Sequence, residues 1–211
     1  MNLLIDRSVL KDNLEIITQA LGKSDGEPIS VHFLFRIGAT TCEILSGGKS
    51  GLCGYVKIPA LPDTNVPDGS TVEFTVDGHR LQGYLGDVPD CKVHVSYDAG
   101  TKKVNIKPEA VKTDFNLVSL DPKDYPDFET DFAAAVKVGK KGTLSVDILQ
   151  DAIGFTKEFI GDNITNPGLS LCRLKTDGTV NSGDGKSIAV YKCSTFGGEF
   201  KLRDVMLSNV S

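Results

Sequence analysis

Two stretches of this 211-residue chain echo one another at a single spacing. Arg36 recurs 137 residues later as Arg173, and Gly48-Lys49-Ser50 recurs at the same spacing as Gly185-Lys186-Ser187. Further on, Glu73-Phe74 recurs as Glu199-Phe200 and Leu81 as Leu207, with the spacing shortened to 126. Matches that keep their order, in segments of the same character, are the mark of an internal duplication. Since ~100–150 residues make one domain, such a chain is expected to fold as two like units.

The residue patterns fill in each unit. Asn2-Leu3-Leu4-Ile5 reads as a short strand, with Asp6 or Ser8 placed to cap the next segment. Leu10, Leu14, Ile17 and Leu21 recur at helical spacing and predict an amphipathic helix over 7–21, with Arg7, Lys11, Glu15 and Thr18 opposite. Strands are predicted over 30–37, 41–45 and 52–58, the first two joined at Gly38-Ala39-Thr40. A Pro-rich loop leads to a strand over 71–76, and Asp77 caps a short helix carrying Leu81 and Leu85. Segments 91–97, 102–106 and 111–117 close the unit as a meander, with Asp98-Ala99-Gly100-Thr101 as a hairpin turn. The second unit opens on Thr143-Leu144-Ser145-Val146-Asp147, read as the mirror of the first strand. Leu149, Ile153, Thr156 and Ile160 then mark a second amphipathic helix, and Leu207 falls where the first unit has its short helix. The expectation is an α+β chain of duplicated units, each with helices on one side of antiparallel sheets. The first covers 1–128, the connection about 119–142, and the second, incomplete, 143–211.

Composition removes several function classes. Lys plus Arg number 23 against 28 Asp plus Glu, a net charge of −5, so a uniformly basic nucleic-acid surface is excluded. A ring or groove with a locally positive lining on an acidic body is left open. No apolar run approaches the ~18–20 residues that span a bilayer, and the first residues carry no signal-peptide pattern, so the chain reads as cytoplasmic. Cys42, Cys53, Cys91, Cys172 and Cys193 are odd in number and widely spaced, which points to buried reduced thiols. His32, His79 and His94 have no second ligand at metal-binding spacing.

The candidate catalytic motifs do not hold. A phosphate-binding loop needs a glycine five residues before Gly48 or Gly185, where Glu43 and Val180 stand, and it must run from strand to helix. Both Gly-Lys-Ser stretches are expected to join strand to strand. Asp77 in Asp77-Gly78-His79-Arg80-Leu81 reads as a helix cap, not half of an acid–base pair. Asp121, Asp124, Asp127, Glu129 and Asp131 lack the glycine scaffold of a calcium loop and read as a solvated linker. No nucleophile finds a partnered base, so no enzyme, metal site or cofactor is expected.

The layout that remains resembles the DNA polymerase sliding clamps, most closely the bacterial β-clamp type, the β subunit of DNA polymerase III. Three places carry the resemblance. Met1-Asn2-Leu3-Leu4-Ile5-Asp6-Arg7-Ser8-Val9-Leu10 is similar to the family's first strand and helix. Asn116-Leu117-Val118-Ser119-Leu120, followed by Asp124-Tyr125-Pro126-Asp127-Phe128, is similar to the end of its first domain. Thr176-Asp177-Gly178-Thr179-Val180 and Gly183-Asp184-Gly185-Lys186-Ser187-Ile188-Ala189-Val190 sit where the family has Thr-Asp-Gly-His-Arg-Leu-Ala-Val, with Lys186-Ser187-Ile188 replacing His-Arg-Leu. Asp77 to Leu81 spell part of that same motif in the wrong slot, a coincidence.

The resemblance implies a non-enzymatic processivity factor in DNA replication that encircles double-stranded DNA without reading its sequence. Its implied partners are a DNA polymerase, a clamp loader and further copies of itself, closing a ring when the chain is complete. Helices line the hole of such rings, so Arg7, Lys11, Arg80, Lys157 and Arg203 are the implied DNA-facing residues. The family's partner peptide docks on the second domain. Carried over, its pocket is rimmed by Gly183, Gly185, Lys186, Ser187 and Ile188, with Phe155 and Phe159 as apolar walls; loss of the His-Arg pair implies a diverged peptide. A non-enzymatic β-rich interaction module sharing the duplicated architecture stays open as the other reading.

Overall fold

The computed structural model describes residues 1–22, 27–47, 53–61, 64–66, 70–128, 130, 145–161, 169, 171–175, 178–193 and 205–208. The chain divides into two compact units, Met1–Phe128 and Glu129–Ser211.

The first unit opens with β1 (Asn2–Asp6) and the twelve-residue α1 (Arg7–Thr18). A 3₁₀ turn at Pro28–Val31 precedes β2 (His32–Ile37), β3 (Thr41–Gly47), β4 (Cys53–Pro59) and β5 (Val72–Asp77). Then come α2 (Gly78–Asp87), β6 (Lys92–Asp98), β7 (Lys103–Pro108) and β8 (Phe115–Val118). The strands form two four-stranded antiparallel sheets, ordered β1-β6-β7-β8 and β4-β3-β2-β5.

One core fills the space between these sheets and the two helices. Leu10, Leu14 and Ile17, at the spacing that marked α1, are at most 2% exposed. Each such burial contributes about 1.5–3 kcal/mol, and together they hold the helix to the sheet far more firmly than helix propensity could. Phe35 stacks on Phe74 at 5.2 Å between ring centres, and Phe74 on Tyr97 of β6 at 5.1 Å, so an aromatic stack links one sheet to the other. The Asp77 carboxylate accepts from the Arg80 backbone N–H at 3.0 Å, which is the expected cap of α2. Gly54 lets α1 lie directly on β4, because a Cβ there would stand 2.7 Å from the Ile17 Cβ.

The second unit has α3 (Val146–Lys157), β9 (Leu171–Leu174), β10 (Thr179–Gly183), β11 (Ile188–Lys192) and β12 (Val205–Ser208). Its sheet runs β11-β10-β9-β12, the same order as β4-β3-β2-β5, so β9 to β12 repeat β2 to β5 one for one. The repeat extends to a single side chain. Ser46, next to last in β3, donates its hydroxyl to the carbonyl of Ile17, the penultimate residue of α1, at 2.5 Å. Ser182, next to last in β10, donates to the carbonyl of Thr156, the penultimate residue of α3. The last carbonyls of a helix have no partner within it, and here a strand supplies one twice.

Two expectations for the second unit need correction. Val146 and Asp147 belong to the first turn of α3 instead of a strand, while Thr143 and Leu144 lie outside the described residues. Leu207 is not in a short helix. It lies in β12, opposite Cys172 of β9, so 205–208 answers to β5 and the Leu81 match fails. Glu199-Phe200 and Gly48-Lys49-Ser50 lie outside the described residues.

The acidic connection is not a solvated linker throughout. The Ser119 hydroxyl accepts from the Thr75 N–H at 2.9 Å, and the Thr75 hydroxyl accepts from the Leu120 N–H at 2.8 Å. The Tyr125 hydroxyl lies 3.1 Å from the carbonyls of both His32 and Leu45, and Tyr125 packs with Ile29, Leu34 and Leu45 on the face of the sheet turned away from α1. Burial pushes the Tyr125 phenol above its ordinary pKa. Residues 119–128 therefore form a strap over that sheet.

Of the five thiols, all free, Cys42, Cys172 and Cys193 are buried, but Cys53 is exposed and Cys91 half-buried. Cys53 starts an edge strand, where one side of the backbone is open.

Candidate nucleic-acid interface and partner surface

Of the side chains carried over as DNA-facing, Arg7, Lys11, Arg80 and Lys157 stand on three helices, and their surroundings differ. In the first unit α1 and α2 pack with opposite direction: Arg7 at the start of α1 meets the end of α2, and Gln82 of α2 reaches Thr18 at the end of α1. The Arg7 guanidinium is wholly engaged. Nε and Nη2 donate to the Leu85 carbonyl at 2.8 and 2.6 Å, and Nη1 pairs with Asp90 at 3.0 Å, leaving the side chain 13% exposed.

Lys11 is half-buried and pairs with Glu15 one turn on, at 3.2 Å. Arg80 is open to solvent and lies 3.5 Å from Asp77. Exposed pairs of this kind contribute little to stability, and both cations can turn toward another anion. Lys157 is exposed at the last position of α3, where a cation complements the helix dipole. Arg203 lies outside the described residues.

The helices as wholes are not basic. In α1, Arg7 and Lys11 are matched by Asp12 and Glu15; in α2, Arg80 is matched by Asp87; in α3, Asp147 and Asp151 outnumber Lys157. Any field these helices present to a phosphate backbone comes from the placement of individual cations.

In the second unit, strand alternation divides the carried-over pocket residues between two faces. Ala189 and Tyr191 of β11 turn toward α3, where Tyr191 joins the core and its ring lies 6.1 Å from that of Phe155. Phe159 lies 6.1 Å from Phe155, so the three rings gather at the helix-covered side. Ile188 and Val190, 76% and 57% exposed, alternate with Ala189 and Tyr191 and so point to the opposite face. Gly183 is paired with Ile188 across the β10–β11 ladder. Asp184 to Ser187 form the turn between those strands, with Gly185 at φ +89°, a conformation open to glycine. The Asp184 carboxylate accepts from the N–H groups of Lys186 and Ser187 at 2.8 and 2.7 Å, and those hydrogen bonds hold its pKa below the usual carboxylate range. These backbone donors are already occupied in a strand-to-strand turn, which leaves none of them to cradle a phosphate.

Arg36 and Arg173, whose spacing exposes the repeat, lie on β2 and β9. Arg36 belongs to a row across the first unit's sheet, Lys57–Glu43–Arg36–Glu73, of alternating sign. Sequence reasoning does not find that row, because its members are brought level only by register. Among the described residues no group of three or more His, Cys, Asp and Glu is placed to hold a metal ion, and no helix is long and apolar enough to cross a membrane.

No family model and no curated protein matches the chain. Solved structures do. The DNA polymerase sliding clamp from Caulobacter crescentus superposes on 99% of this chain with a TM-score of 0.79 at 18% identity, over 54% of its own length. The β subunit of DNA polymerase from Streptococcus pyogenes matches 99% of this chain and 53% of its own, with a TM-score of 0.73 at 14% identity. The DNA polymerase III subunit β from Pseudomonas aeruginosa matches 98% and 53%, with a TM-score of 0.72 at 14% identity. The chain thus spans about half the length of the solved structures it matches. The chain has the α+β fold of the bacterial DNA polymerase III β sliding clamps.

Proposed function

We propose that this protein is a non-enzymatic sliding clamp, which encircles duplex DNA as part of a ring and tethers a DNA polymerase to its template. The observation that carries the reading is the superposition of nearly the whole chain on a sliding clamp, at a TM-score of 0.79. The repeated helix-and-sheet unit supports it: a ring that slides needs like units presenting the same element to a helical rod of uniform charge. In this reading 1–128 is one clamp domain and 143–211 belongs to a second. Lys11, Arg80, Lys157 and Arg203 contact phosphates, and Arg7 acts one step back, holding α1 against the end of α2. The partner peptide meets the second unit either at the Phe155–Phe159–Tyr191 side or at the Ile188–Val190 face, since one peptide side chain cannot reach both.

The balance of charge on the helices favours a second reading, a non-enzymatic interaction module that keeps the clamp architecture without the DNA. A polymerase assay separates the two. With the complete protein, its own polymerase and a loader, a sliding clamp lengthens products on a long primed template, whereas the module leaves product length unchanged. For the phosphate contacts, joint replacement of Lys11, Arg80, Lys157 and Arg203 by Ala is expected to weaken duplex binding equally on all sequences. The salt slope should fall by up to ~0.9 for each phosphate no longer neutralised. A variant that binds and supports synthesis as the parent does would remove these residues from the interface.

A further inference from the structure

The first unit contains an open groove of about 490 Å³, lined by Glu27, Pro28, Ile29, Leu120, Asp121 and Asp124. Its two walls come from segments far apart in sequence, the 3₁₀ turn before β2 and the strap beyond β8. The volume falls within the ~300–1,000 Å³ of ordinary ligand sites. Two features of the lining are independent of one another.

The first feature is an apolar floor. Ile29 and Leu120 belong to one apolar cluster with Leu34, Leu45 and Tyr125, and Pro28 lies beside them, so a side chain entering the groove would extend an existing core. The second is a rim in which carboxylates predominate. Glu27, Asp121 and Asp124 are the ionisable groups among the described lining residues. Lys102 stands 3.8 Å from Asp121 and is itself half-exposed, a loose pair that an incoming guanidinium can displace. One oxygen of Asp121 caps the N–H of Lys123 at 3.1 Å, fixing the carboxylate at the mouth. The Tyr125 anchor holds the strap, so the wall is preformed.

We propose that this groove binds a protein segment in which a large aliphatic side chain is flanked by Arg or Lys. The aliphatic group takes the floor and the cations the three carboxylates, a combination that yields affinity from burial and specificity from charge. Nucleic acid is not the occupant, because the rim repels phosphate. The groove lies on the face of the sheet opposite α1, and its occupancy requires neither DNA nor a closed ring.

Fluorescence anisotropy with the complete protein and three fluorescein-labelled hexapeptides tests the proposal. The probes are Arg-Lys-Leu-Leu-Lys-Arg, the same peptide with both Leu replaced by Ser, and Glu-Asp-Leu-Leu-Asp-Glu. The first should bind saturably, more weakly at high salt, and the other two at least about tenfold more weakly, a loss of about 1.4 kcal/mol or more. Combining Glu27→Gln, Asp121→Asn and Asp124→Asn should weaken the first probe at least about tenfold while leaving thermal unfolding near that of the parent. No saturation by ~1 mM, the weakest affinity worth naming, would overturn the proposal. So would equal binding of the Ser peptide, which would leave only a diffuse acidic surface, or binding to the triple variant within about twofold of the parent. Loss of polymerase stimulation with peptide binding intact would instead count against the clamp reading alone.

Discussion

Several single polar atoms tie this fold together by meeting partners far along the chain. The Tyr125 hydroxyl serves carbonyls 93 and 80 residues away, and nothing near Tyr125 in sequence announces them. The Asp77 cap is legible because its partner, Arg80, is three residues on. Tyr125→Phe should cost about 1 kcal/mol, the net worth of a buried hydrogen bond, read as a lower urea midpoint at unchanged slope. An unchanged midpoint would mean that packing alone secures the strap. His32 gives the same region a pH dependence. It is buried with Nδ1 unpartnered, and burial lowers its pKa below 6.5, a shift that Asp77 opposes and Arg80 reinforces. The folded chain holds His32 neutral where the unfolded chain already takes up a proton. That stability is present in full above pH 6.5 and is lost as pH falls toward the folded value. Unfolding followed from about pH 8 to about pH 5 should show this loss, of at most about 1.4 kcal/mol per pH unit for one proton, and His32→Gln should flatten it.

Helices and strands are legible where local pattern and tertiary environment agree. α1 follows its Leu10–Leu14–Ile17 stripe because a sheet covers that face. In α3 the predicted stripe is only partly used: Ala152 and Thr156 are fully buried, while Leu149 and Ile153 are half-buried. The helix meets its sheet through small residues, of which the predicted stripe includes Thr156 but passes over Ala152. β12 escapes sequence reasoning because the match of Leu81 to Leu207 rests on one residue, whereas the pairing of β12 with β9 repeats that of β5 with β2. The two serine-to-helix hydrogen bonds stand in the sequence as Ser46-Gly47 and Ser182-Gly183, yet their meaning depends on carbonyls 29 and 26 residues away. Ser46→Ala and Ser182→Ala should each cost about 1 kcal/mol, with faster amide exchange confined to α1 in one variant and to α3 in the other. Exchange that spreads through both units from either change would mean that they do not unfold separately.

For the molecule as a whole, the repeat is what makes the architecture readable. Matching positions at one spacing imply like units, and the order β4-β3-β2-β5 against β11-β10-β9-β12 repeats strand by strand. The candidate site is less readable. The sequence names cations on helices without telling which are already engaged, as Arg7 is at 13% exposure. It also names apolar pocket residues without telling which face of a strand they occupy, as Phe155 and Ile188 illustrate. With a net charge of −5 and helices that carry no excess of cations, grip by charge alone is weak, so the clamp function proposed above requires that DNA be held by topology. That claim is tested most directly by loading the complete protein, with its loader, onto nicked circular duplex and then cutting the circle once with a restriction enzyme. Retention on the circle at about 0.2 M salt, with release on linearisation, is the predicted result, because a linked ring resists salt that strips ordinary phosphate contacts. Equal retention on circular and linear DNA, or none on either, would contradict it.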